Sequence, residues 1–152
     1  MKKILTTILL AALLHACKEA PKAEDVAAQT AKTYYEMLMR GDCDLFVDGT
    51  YRPDSIPASY REQLVANAKM YVGQQQEEHR GIRQVKVAGA QVDTARHRGD
   101  VFLVLSYGDS TSEQIVVPMV CQDGVWYMKK REASLLLFFT IVIEGACSYV
   151  LG

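Results

Sequence analysis

Residues 98–128 read RGDVFLVLSYGDSTSEQIVVPMVCQDGVWYM, and this stretch decides the fold. The nearly continuous apolar run Val101 to Tyr107 is typical of a central strand that is buried on both faces. Residues 113–121 alternate in polarity, and Pro118 indicates a bulge or an edge because proline cannot donate to a ladder. Asp123-Gly124 is a strong two-residue hairpin signal before another short apolar run. The stretch therefore predicts an antiparallel meander.

The residues before the meander show helical spacing instead. A first helix is predicted from Glu24 and Asp25 to Gly41, a brief second helix or turn over Asp42 to Asp48, and a long helix over Ala58 to Gln76. Beyond Gly81 the period changes toward alternation, which indicates the first strands. The predicted fold class is thus α+β, with N-terminal helices packed on a curved antiparallel sheet.

The N-terminus has the pattern of an export signal. Lys2 and Lys3 precede an apolar run of about ten residues, which is too short to span a bilayer as a helix. The following Leu14-His15-Ala16-Cys17 resembles the lipobox of bacterial lipoproteins, so we expect cleavage between Ala16 and Cys17 and lipidation, including palmitate, on Cys17. Several acyl chains anchor a protein stably. The alternative is an ordinary secretory signal with a chance cysteine.

These motifs divide the chain into a signal peptide (1–16), a lipidated tether (17–23), a folded domain (24–131) and an apolar C-terminal segment (132–152). Lys18 and Glu19 stand where lipoproteins retained in the inner membrane usually carry Asp. The resemblance therefore implies a lipid-anchored protein of the bacterial cell envelope, at the outer membrane.

Length and charge limit the remaining possibilities. The 152 residues suffice for one ordinary domain, and loss of Lys2 and Lys3 with the signal leaves 15 basic against 18 acidic residues. Lys and Arg are not clustered in the sequence, so no nucleic-acid partner is predicted. Cys43 and Cys121 form a candidate disulfide, with Cys147 left over. No CxxC or metal-ligand spacing is present, so neither a metal nor a cofactor is predicted.

The order of elements resembles the nuclear transport factor 2-like superfamily, in which helices close one side of a cone-shaped sheet. Small bacterial lipoproteins with a domain of unknown function are similar in three features: a lipobox, a helix ending at a Gly-Asp pair, and a terminal Asp-Gly-x-Trp. Here the last two are Gly41-Asp42 and Asp123-Gly124-Val125-Trp126. The resemblance covers residues 24–130.

The cone of this superfamily often holds a ligand. The residues that the resemblance suggests as cavity-lining are Tyr34, Tyr60, Tyr71, Tyr107 and Trp126. For Trp126 we favour a structural role, because a lone Trp after a hairpin more often seals a small sheet.

Some members of the superfamily, such as ketosteroid isomerase and scytalone dehydratase, are enzymes that use an acid or base with tyrosines. Asp93 and the tyrosines are the candidates for such chemistry, whereas His79 and His97 lie in polar surroundings that indicate solvated side chains. No catalytic constellation is recognisable. We therefore expect a non-catalytic domain that binds a small apolar ligand or acts as a scaffold. The alternatives are a domain that docks an envelope protein, or an isomerase-like or dehydratase-like enzyme.

The C-terminal segment departs from this resemblance. Residues 134–151 are almost entirely apolar and nearly long enough to span a membrane. Glu144 and the basic residues 129–131, which would flank such a helix on the outer side, argue against a span. A last strand, a membrane-associated helix and a tail foreign to the family all remain open.

Overall fold

The computed structural model describes residues 20–52 and 54–129. The predicted signal peptide, the lipidation site Cys17, Cys147 and the segment 132–152 lie outside the described residues. The elements in chain order are helices α1 (Ala23–Arg40), α2 (Cys43–Asp48) and α3 (Ala58–His79), followed by strands β1 (Ile82–Asp93), β2 (Arg98–Tyr107), β3 (Ser112–Gln122) and β4 (Val125–Met128). No helix among these residues is long and apolar enough to cross a membrane.

Local signals fix the ends of α1 and the last hairpin. Glu24 and Asp25 lie in the first turn of α1, where carboxylates interact favourably with the helix dipole. Gly41 ends the helix in the left-handed region at φ 83°, and its N–H donates to the carbonyl of Leu38 at 3.0 Å. Asp123 and Gly124 both have positive φ values, as the predicted two-residue hairpin requires.

The four strands form an antiparallel sheet in the order β1-β2-β3-β4, and the helices cover one of its faces. The predicted α+β class, with helices packed on an antiparallel sheet, is confirmed. The main core consists of small α1 residues packed against one face of the sheet: Ala27, Ala28, Ala31, Ile82, Val85, Val101, Leu103, Leu105, Tyr107, Val117, Met119, Trp126 and Met128. A second cluster of Leu38, Cys43, Val47, Val65 and Ala68 packs the three helices together.

Two expectations about the strands are corrected. The run Val101 to Tyr107 was expected to be buried on both faces, but Phe102, Val104 and Ser106 are only half-buried because no helix among the described residues covers that face. Pro118 lies in β3, which is an inner strand and shows no bulge there. Pro118 directly precedes Met119, which forms the last pair of the β3–β4 ladder with Met128. The Pro118 carbonyl accepts from Lys129 N–H at 2.7 Å, just after the end of β4. The missing N–H of Pro118 would point to the same side, where the pairing with β4 ends.

The two edges of the sheet differ. The outer edge of β4 is covered by residues 49–51, because Tyr51 N–H donates to the Met128 carbonyl at 2.7 Å and Met128 N–H donates to the Gly49 carbonyl at 2.9 Å. The outer edge of β1 pairs with no other strand in the described part of the chain. One edge of the sheet is therefore closed and the other is open.

Candidate docking groove and tyrosine network

An open groove of about 600 Å³ lies between α1 and the first half of β1. Its helical wall consists of Gln29, Lys32, Glu36 and Met39, which recur every three or four residues and so share one face of α1. Its other wall is the edge of β1 over residues 83–87. β1 is an edge strand with no partner on its outer side in the described part of the chain, so the groove lies beside a strand that has unpaired backbone groups.

The groove carries an excess of positive charge. Lys32 and Glu36 neutralise each other through a contact of 2.6 Å between Nζ and Oε1. Arg83 and Lys86 are exposed and have no ion-pair partner among the described residues. Val87 is 40 % exposed and Met39 on the facing wall is half-buried, so the groove also offers some apolar surface. A bound segment would find both charge and apolar contacts here.

A second constellation joins tyrosines with a carboxylate. The Tyr107 hydroxyl donates to Glu113 Oε2 at 3.0 Å and shares a hydrogen bond with the Tyr71 hydroxyl. Burial, followed by the neighbouring Tyr71 and Glu113, raises the pKa of Tyr107. Burial also raises the pKa of Tyr71. Both phenols therefore stay protonated at neutral pH.

His79 extends this network at its exposed end. Its Nδ1 lies 2.9 Å from Asp109 Oδ2, and its ring lies 4.9 Å from the Tyr107 ring between centroids. Hydrogen bonds from Thr111, followed by one from His79, hold the pKa of Asp109 well below its usual range. His79 was expected to be solvated. It is only partly so, because the turn after β2 brings Asp109 against the end of α3.

The five residues suggested as cavity-lining lie in several parts of the domain. None of them lines the groove or a smaller depression of about 90 Å³ beside Leu38 and Ile82. Tyr71 meets Tyr107 in the network, and the Tyr34 hydroxyl lies 3.5 Å from the Trp126 carbonyl oxygen. Tyr60 is exposed near the start of α3. Trp126 is buried in the main core.

The remaining candidates lie apart from both constellations. Asp93 is exposed and accepts the Arg96 backbone N–H at 3.0 Å, and His97 is exposed in the turn between β1 and β2. Among the described residues no carboxylate, histidine, lysine or arginine is buried. No group of three or more His, Cys, Asp or Glu residues in that part of the chain could hold a metal ion.

The candidate disulfide is not formed. Cys43 and Cys121 are both free thiols. Cys43 begins α2 and belongs to the helical cluster, whereas Cys121 pairs with Trp126 across β3 and β4 and packs on the main core. The two cysteines therefore lie in different clusters.

Sequence reasoning missed the groove residues and the carboxylates of the network. The i,i+4 spacing of Lys32 and Glu36 is typical of an ion pair on one helix face, but nothing in the local sequence shows which strand lies beside that face. Glu113 and Tyr107 flank one short turn, so a hairpin register over residues 107–113 would have placed the carboxylate near the phenol.

A solved structure with this arrangement of helices and strands identifies the fold. A protein from Campylobacter jejuni named as an NTF2-like transpeptidase has a TM-score of 0.52 and 11 % identity, over 68 % of this chain and 96 % of its own. The chain has the nuclear transport factor 2-like fold. Aln2 from a Streptomyces species gives a TM-score of 0.46 and 12 % identity, over 78 % of this chain and 98 % of its own. No protein-family model and no curated protein matches the sequence.

Proposed function

We propose that this chain is a lipid-anchored protein of the bacterial envelope that docks a partner protein in the groove between α1 and β1. One observation carries the proposal: a groove of about 600 Å³ combines an open strand edge with two cations and some apolar surface. The cations are Arg83 and Lys86, which have no ion-pair partner among the described residues. These are the features of a surface that binds another polypeptide.

A small ligand inside the cone has less support. The space between α1 and the sheet is filled by core side chains, of which Ala27, Val101, Leu103 and Leu105 are fully inaccessible to solvent. The groove is open, and six of its nine lining residues are charged or carry an amide, whereas pockets for small apolar ligands are mostly apolar and enclosed. Docking of a partner therefore fits this geometry better than enclosure of a ligand.

The proposed anchor would keep the groove near a membrane. The lipobox-like Leu14-His15-Ala16-Cys17 supports lipidation, and α1 begins at Ala23. A tether from Cys17 to Ala23 spans at most about 20 Å when fully extended. A partner in the same membrane, or close to its surface, would lie within reach of the domain.

Site-specific photo-crosslinking in the native host tests the docking role. A photo-crosslinking amino acid replaces Lys86 in the groove. In a matched strain it replaces Lys129, which directly follows β4 at the other side of the sheet. Both lysines are exposed at opposite edges of the sheet. We expect one discrete adduct from position 86 that is absent from position 129. Equal, diffuse labelling from both positions, or none from position 86, would reject the proposal.

A further inference from the structure

We infer that the groove binds a short, extended, acidic peptide segment of the partner, which adds a strand to the open edge of β1. This inference rests on the proposed function, because it takes the groove between α1 and β1 as the docking surface. It adds to it the backbone mode of binding and the chemistry of the segment.

The backbone of β1 has a regular stretch that could pair with an added strand. β1 is a 12-residue edge strand, and register shifts between Ile82 and Gln84 and between Val87 and Gly89 interrupt its pairing with β2. The regular stretch Gln84 to Val87 lies between these shifts and forms part of the groove wall. In an antiparallel ladder, alternate residues turn their N–H and C=O groups away from the paired strand. A peptide strand of about four residues, roughly 13 Å long, could pair with this stretch.

The side chains of the groove supply the second part. A strand presents alternate side chains to opposite faces, so an added strand would direct one set toward α1 and the other away from it. Arg83 and Lys86 lie on the strand wall without an ion-pair partner among the described residues, and Lys32 is already bound to Glu36. Their charge favours Asp or Glu in the peptide. Met39 and Val87 favour apolar residues at the alternating positions.

Lysines and bulges also protect many edge strands from unwanted pairing. That protective role predicts that β1 accepts no peptide at all. The two interpretations differ in one observable, namely whether a peptide with complementary charge forms backbone hydrogen bonds with residues 84–87.

The experiment uses the full-length chain in lipid nanodiscs, with amide NMR as the readout. The probe is a blocked peptide that alternates Glu or Asp with Val. One control peptide carries Lys in place of the acids, and a second is the acidic peptide N-methylated at alternate backbone amides. N-methylation removes donors without changing charge. Lys86→Glu is the groove variant and Lys129→Glu is its matched control.

We expect the acidic peptide to shift the amides of residues 83–89 and the facing residues of α1. N-methylation and Lys86→Glu should each weaken binding about tenfold or more, whereas Lys129→Glu should leave it unchanged. Equal affinity of the methylated and unmethylated peptides would overturn strand addition. Absence of binding up to about 1 mM peptide would overturn the inference altogether. A discrete crosslink from position 86 without peptide binding rejects only this inference, whereas failure of that crosslink rejects the proposed function.

Discussion

Leu103 and Leu105 lie in the middle of β2 and are fully buried beneath α1. Leu103→Ala removes methyl groups from a site that cannot collapse completely, so we expect the free energy of unfolding to fall by about 2–5 kcal/mol. Urea denaturation followed by circular dichroism measures the change. Val125→Ala is the control, because Val125 is 48 % exposed and truncating an exposed apolar side chain should change stability by no more than about 0.5 kcal/mol. Equal losses in the two variants would contradict the assignment of the core face.

Asp109 gives a prediction about pH. Its folded-state pKa is lowered by hydrogen bonds from Thr111 and His79, so its stabilising contribution is complete above the ordinary carboxyl range, near pH 4, and is lost as pH falls through the folded-state value. Asp109→Asn should therefore be less stable than the wild type at pH 7. The difference should shrink as pH falls below about 4. Urea titrations at pH 7, 5, 4 and 3 measure it, and a difference that grows toward pH 3 would contradict this account.

At the scale of elements, two glycines differ in the space that surrounds them: Gly49 lies in a tightly packed contact between helices, and Gly73 lies on an open helix surface. A Cβ added at Gly49, after α2, would overlap the ring of Tyr34 on α1, whereas a Cβ added at Gly73 in α3 would meet nothing within 4 Å. Gly49→Ala should thus cost about 1–3 kcal/mol, because the ring must move. Gly73→Ala should add about 0.5–1 kcal/mol by lowering the entropy of the unfolded chain and improving helix propensity. Thermal unfolding of both variants checks the pair, and opposite signs are required.

Most elements of this fold were predictable because their signals are local. Gly41 ends α1 and Asp123-Gly124 forms the hairpin as the sequence indicated, since each depends only on neighbouring residues. The one-sided burial of β2 was not predictable, because it depends on which faces the helices cover. The open edge of β1 was not predictable either, because the position of a strand at an edge depends on the order of all the strands in the sheet. The groove could therefore not be predicted from local sequence signals, because it depends on how α1 and β1 lie relative to each other in the fold.

At the scale of the whole molecule, the proposed lipid anchor at Cys17 precedes a domain whose sheet has one open edge. Cys17→Ala should abolish lipidation, because the thiol is the proposed attachment point. We expect the wild type to begin at Cys17, to carry added acyl mass and to fractionate with membranes, and the variant to be released from them. Mass spectrometry and fractionation measure both properties. A variant that stays in the membrane would instead favour a second anchor within residues 132–152, and an unlipidated, released wild type would refute the anchor.

The central structural claim is that the outer edge of β1 is free to accept another strand, and amide hydrogen exchange in the full-length chain tests it most directly. Amides that point away from β2 should exchange quickly, while those that bond to β2 exchange slowly. The account predicts this alternation along Gln84 to Val87 in the free chain, together with slow exchange at Met128, whose N–H is bonded to the Gly49 carbonyl. Uniformly slow exchange along β1 would show that its edge is already occupied, and would contradict the account.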